Sequence, residues 1–64
     1  MIVNGKEKEL SESLSLRAYL LAEGYNPDHI AVELDGEIIR KEHYADTMLT
    51  NSSRVEIVRF MGGG

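Results

Sequence analysis

Two dipeptides, Asn4-Gly5 and Asp35-Gly36, constrain this 64-residue chain more than any other feature. Each stands between extended runs, where a two-residue type I′ turn needs positive φ at both central positions, and Asn-Gly and Asp-Gly supply it most readily. The first turn follows the apolar opening Met1-Ile2-Val3 and leads into Lys6 to Leu10, a charged return that predicts a solvated edge strand. The second follows Ile30, Val32 and Leu34, which alternate with Ala31, Glu33 and Asp35 in the period of a half-buried strand. Its return begins at Glu37-Ile38-Ile39.

Between the hairpins the period changes to that of a helix. Ser11 to Ser15 reads as a loop, with Ser15 placed to accept a hydrogen bond from an early helical N–H. Leu16, Tyr19, Leu20 and Glu23 fall at helical spacing, and Leu21 widens the apolar stripe. Gly24 sits where a left-handed residue closes a helix, and Asn26-Pro27 confirms the stop, giving a helix of roughly ten residues. Beyond the second hairpin, Arg40 to Thr47 predicts an irregular turn or short 3₁₀ segment pinned by Tyr44, and Leu49 is expected to tuck back into the core. Asn51-Ser52-Ser53 is a turn, and Arg54 to Phe60 is the last strand and the most β-prone stretch.

Sequential strands usually pair, so the first and last strands become parallel neighbours across the helix, in the centre of the sheet. The expected architecture is α+β of the β-grasp, or ubiquitin-like, kind. It has a mixed four- to five-stranded sheet packed on one main helix, in a domain spanning residues 1–60 with a flexible tail at residues 61–64. A chain this short buries only about 60% of its unfolded surface. With 42% apolar residues it still forms a core. It has no cysteine, which excludes disulfides, thiolate metal sites and a cysteine nucleophile. A net charge of −4 argues against nucleic acid and anionic membranes, and no apolar run approaches the roughly 20 residues of a membrane span. A cytoplasmic domain, monomeric when free, is expected.

The last strand is apolar on both faces. Val55 and Ile57 share one side, and Val58 and Phe60 share the other with Glu56. A sheet covered by a single helix needs only one apolar face, so Val58 and Phe60, with Met61 after them, are candidates for partner docking. Alternatively, Phe60 folds over the sheet edge and packs locally. Gly62-Gly63-Gly64 follows directly. Glycine is thin and conformationally free, and ordering it is entropically costly. Such a segment is either a frayed end or expression remnant, or a thread that presents the Gly64 carboxylate through a narrow channel.

These residues together resemble the small sulfur carrier of thiamine biosynthesis, the ThiS type. The resemblance runs through Asn4-Gly5, Ser15-Leu16, Leu20-Leu21, Val32-Glu33-Leu34-Asp35-Gly36-Glu37-Ile38-Ile39, Tyr44 and Val55 to Gly64. The family usually carries Gly or Asp in the turn before the last strand, where this chain has Asn51-Ser52-Ser53. The resemblance implies a protein cosubstrate rather than an enzyme. A ThiF-type adenylating enzyme, supplying the site for ATP and Mg, would convert the Gly64 carboxylate to an acyl-adenylate. A sulfur donor, usually a persulfide, would replace AMP and leave a thiocarboxylate for delivery to thiazole synthase. Gly62 and Gly63 would thread the partner's channel, and no cofactor would be bound by the chain itself. A related carrier, such as the small subunit of molybdopterin synthase, or a ubiquitin-like binding module with an inert tail, are the alternatives. His29 and His43 lack helical spacing and accompanying ligands, so they read as surface histidines and no metal site is expected.

Overall fold

The computed structural model describes residues 1–60. Strand β1 (Ile2–Val3) turns at Asn4-Gly5 into β2 (Lys6–Glu7), and β3 (Leu14–Ser15) leads into helix α1 (Leu16–Ala22). A 3₁₀ turn at Pro27–His29 precedes β4 (Ile30–Leu34) and β5 (Glu37–Ile39). A longer 3₁₀ segment, Lys41–Asp46, leads to β6 (Met48–Leu49) and finally β7 (Arg54–Arg59). The main sheet has five strands in the order β2-β1-β7-β4-β5, with β1 and β7 parallel at its centre and every other pair antiparallel. This is the β-grasp arrangement.

Both hairpin turns have the expected backbone. Asn4 and Gly5 have φ of 50° and 81°, and Asp35 and Gly36 have 52° and 88°. The return after the first turn is shorter than expected, ending at Glu7 rather than Leu10. Its partner β1 is itself only two residues long, and the Leu10 backbone bonds to the Asn51 side chain instead, donating at 2.8 Å and accepting at 3.0 Å. The loop expected over residues 11–15 also ends early. Leu14 and Ser15 pair with Leu49 and Met48 in a separate two-stranded sheet, which the polar run of serines concealed.

The helix has seven residues rather than ten. Ser15 Oγ accepts from the Ala18 N–H at 3.0 Å, and Leu16 N–H donates to the Thr47 carbonyl at 2.7 Å, so two of the orphan donors at the start are satisfied. At the other end, Tyr25 N–H reaches the Leu20 carbonyl at 2.9 Å and Gly24 N–H reaches Leu21 at 3.1 Å. With Gly24 at φ 84°, this is a Schellman closure, and it stops the helix at the glycine, as expected. Leu16, Tyr19 and Leu20 are buried, but Leu21 is 51% exposed and does not widen the core stripe as expected. It sits about 100° around the helix from Leu20, on the side away from the sheet.

The core lies between α1 and the inner face of the sheet, where Val3, Ile30, Val32, Val55 and Ile57 are buried. Tyr44 and Leu49 close its open side, as expected, with Leu49 fully buried. The turn before β7 needs no glycine. No residue from Asn51 to Ser53 has positive φ, and the turn is held by Ser53 Oγ accepting from Thr50 N–H at 3.0 Å and Ser53 N–H donating to the Thr50 carbonyl at 3.1 Å.

Candidate functional site

The alternation of β7 sends Val55 and Ile57 into the core and turns Arg54, Glu56 and Val58 outward. The neighbouring strands are in register with this row. Val58 stands opposite Ala31, Glu56 opposite Glu33, and Glu33 opposite Ile38 on β5. Val58 is 60% exposed and Ile38 77% exposed, and a shallow depression of about 100 Å³ lies among them, lined by Ala31, Glu33, Ile38, Glu56 and Val58. Ile38 was not singled out in the sequence. Its signal was there, in an Ile-Ile pair on a short strand, where alternation sends only one of the two inward.

Phe60 is also exposed, at 61%, but it does not share this depression. It follows the last ladder pair, Ile30 with Arg59, and its N–H donates to the His29 carbonyl at 2.9 Å. There it borders a second groove, towards the end of α1, with Gly24, Asn26 and His29. The outer apolar surface is therefore two neighbouring patches rather than one.

The end of β7 is tied down by a chain of causes that begins at Gly24. The Schellman closure directs Tyr25 back against the core, and the Arg59 guanidinium lies 4.7 Å from the centre of the Tyr25 ring. Together with the Phe60–His29 bond, this contact fixes the root from which residues 61–64 continue. Tyr25 was not singled out in the sequence. Met61, Gly62, Gly63 and Gly64, and with them the expectation of a disordered tail, lie outside the described residues.

The two histidines make separate backbone contacts. The His29 backbone belongs to the tail root, and the His43 carbonyl accepts from Thr47 Oγ1 at 2.7 Å. Among the described residues, no group of three His, Cys, Asp or Glu side chains is placed to hold a metal ion. Beside the second groove, the Lys41 ammonium bonds to Asp28. That hydrogen bond and the lysine's charge hold the Asp28 carboxyl below its usual range and raise Lys41 correspondingly. No helix of the described residues is long and apolar enough to cross a membrane.

Comparison with known proteins agrees with this geometry. The profile of the ThiS family matches residues 1–64. The fold superposes on the crystal structure of the thiamine biosynthesis protein (ThiS) from Geobacter metallireducens with a TM-score of 0.83 and 35% identity, covering 98% of this chain and 96% of that one. The solution structure of a thiamine biosynthesis protein from the same organism gives 0.80. The chain is also 36% identical, over its whole length, to a segment of the thiazole synthase of Paramagnetospirillum magneticum, of which it spans only 20%. The uncharacterized protein ycf40 of Porphyra purpurea is 31% identical over 97% of this chain and 87% of its own length.

Proposed function

The chain belongs to the ThiS family, and we propose that it is a sulfur carrier of thiamine biosynthesis, acted on by partner enzymes and not itself a catalyst. The observation that carries this reading is the family match across the full length, joined to a fold that superposes on a ThiS protein at 35% identity. The chemistry follows from what a carboxylate can do. It is a poor electrophile, so sulfur replaces its oxygen only after activation. The Gly64 carboxylate attacks the α-phosphate of ATP, held with Mg in a ThiF-type adenylating enzyme, and pyrophosphate leaves. The terminal sulfur of a persulfide then attacks the acyl carbon and AMP leaves. Cleavage of the remaining S–S bond by a thiol frees the thiocarboxylate and yields a disulfide.

The domain's part in this is presentation. Val58 and Ile38 offer one apolar patch to the adenylating enzyme and Phe60 a second, with Met61 next in the chain, and Gly62 and Gly63 pass through a channel that a side chain would block. The thiazole synthase that receives the sulfur is proposed as the second partner, supported by the relative of that name containing a segment like this chain.

The test is intact mass after incubation with Mg-ATP, an adenylating enzyme of this type and a persulfide source, followed by a thiol alkylator. The chain has no cysteine, so a single alkyl adduct mapped to Gly64 is the expected result. Absence of the adduct, with the same enzyme active on another carrier, overturns the reading and leaves a binding module.

A further inference from the structure

The outer sheet face carries an arrangement that folding alone does not favour. Glu33 and Glu56 stand directly opposite each other on neighbouring antiparallel strands, and both are exposed. Like charges in that position destabilise a sheet. Among the described residues neither is in an ion pair; the two bridges present are Arg40 with Glu42 and Lys41 with Asp28. The pair is flanked by Val58 and Ala31 along the strands and by Ile38 on β5; Arg54 follows on the same face of β7 but forms no ion pair with either carboxylate. A cation reaching the carboxylates would therefore arrive between apolar contacts.

We propose that Glu33 and Glu56 form an acidic clasp for an arginine or lysine of the adenylating enzyme, set among apolar side chains that cover Val58 and Ile38. The inference rests on the carrier reading given above. Charge complementarity selects this partner. An enzyme that brings a carboxylate to the α-phosphate of ATP needs cationic groups around its approach channel, and this chain has a net charge of −4. Two carboxylates beside an apolar patch give such a partner both steering and register. The mutual repulsion they tolerate in the free domain is relieved when the cation docks.

The experiment compares the full-length chain with the double variant Glu33→Gln/Glu56→Gln, titrated against the adenylating enzyme at low and high salt. Glu9→Gln/Glu12→Gln, which removes the same charge away from this face, is the control. The clasp variant is expected to bind about tenfold more weakly at low salt, with a shallower salt dependence, while its Tm stays level or rises. At high salt the control changes affinity by less than about twofold, since exposed charges beyond the Debye length are screened. A clasp variant that binds no more weakly than the control overturns the proposal. ATP–pyrophosphate exchange is measured alongside. Loss of binding without the clasp, together with no exchange by the wild type, supports the docking and defeats the carrier chemistry, so the two failures are told apart.

Discussion

At the residue scale, Asn4 carries more than its place in the turn suggested. Its φ of 50° is the one a type I′ turn requires, but its side chain also reaches β7. There Ile57 N–H donates to Asn4 Oδ1 at 2.7 Å, and Asn4 Nδ2 donates to the Ile57 carbonyl at 3.3 Å. The side chain thus continues the parallel β1–β7 pairing past the point where the β1 backbone turns away. Asn4→Gly, which keeps the backbone angle and removes both bonds, is expected to cost about 1–2 kcal/mol. Asn4→Ala adds the left-handed strain of a Cβ, for about 2–4 kcal/mol in all. Urea denaturation of the two variants separates the contributions; equal losses would show that the turn conformation costs alanine nothing. The turn itself was legible in the sequence. The bond to Ile57 was not, because it joins residues 53 apart in the chain.

At the element scale, the helix and the small β3–β6 sheet divide the work of closing the core. Leu49 is fully buried on β6, opposite Leu14, whereas Leu21 on α1 is half exposed. For 64 residues, a total stability of about 3–10 kcal/mol is expected. Leu49→Ala should remove about 2–5 kcal/mol of it by opening a cavity, lowering the urea midpoint by a large fraction or unfolding the domain. Leu21→Ala should move it by no more than about 0.5 kcal/mol. A large loss at Leu21 would mean that its exposed face is covered in solution. Leu49 was expected in the core, and helical periodicity ranked Leu21 there too. Periodicity located the apolar stripe but not its width, which is set by how far a seven-residue helix wraps over the sheet.

At the scale of the whole molecule, the two buried tyrosines are expected to weaken the fold at alkaline pH. Burial, the largest cause, raises both Tyr19 and Tyr44 above the usual phenol value of about 10; Glu23 adds to it at Tyr19, and Lys41 opposes it at Tyr44. Because the folded state holds these protons more tightly than the unfolded chain does, stability is complete below about pH 10. It falls as pH rises from there through the folded values. Tyr44→Phe should flatten that fall, and a thermal melt series from pH 8 to about 11 reads it; an unchanged slope would exclude Tyr44 as a contributor. The Lys41–Asp28 pair is exposed, so its removal should matter little in salt.

What this sequence determined by itself is everything that short-range chemistry governs. The two left-handed turns, the Ser15 cap, the Gly24 stop and the alternation of β4 and β7 each follow from residues within a few positions of one another. Tertiary structure decided the rest: the β3–β6 pair, the placement of Arg59 on Tyr25, the separation of Phe60 from Val58, and the meeting of Glu33 with Glu56. Each of those depends on which distant strands become neighbours and in what register, and a one-residue slip of β4 along β7 would turn Glu33 into the core. The buried Val32 and Ile57, paired across that ladder, forbid the slip and so leave the two carboxylates face to face in solvent.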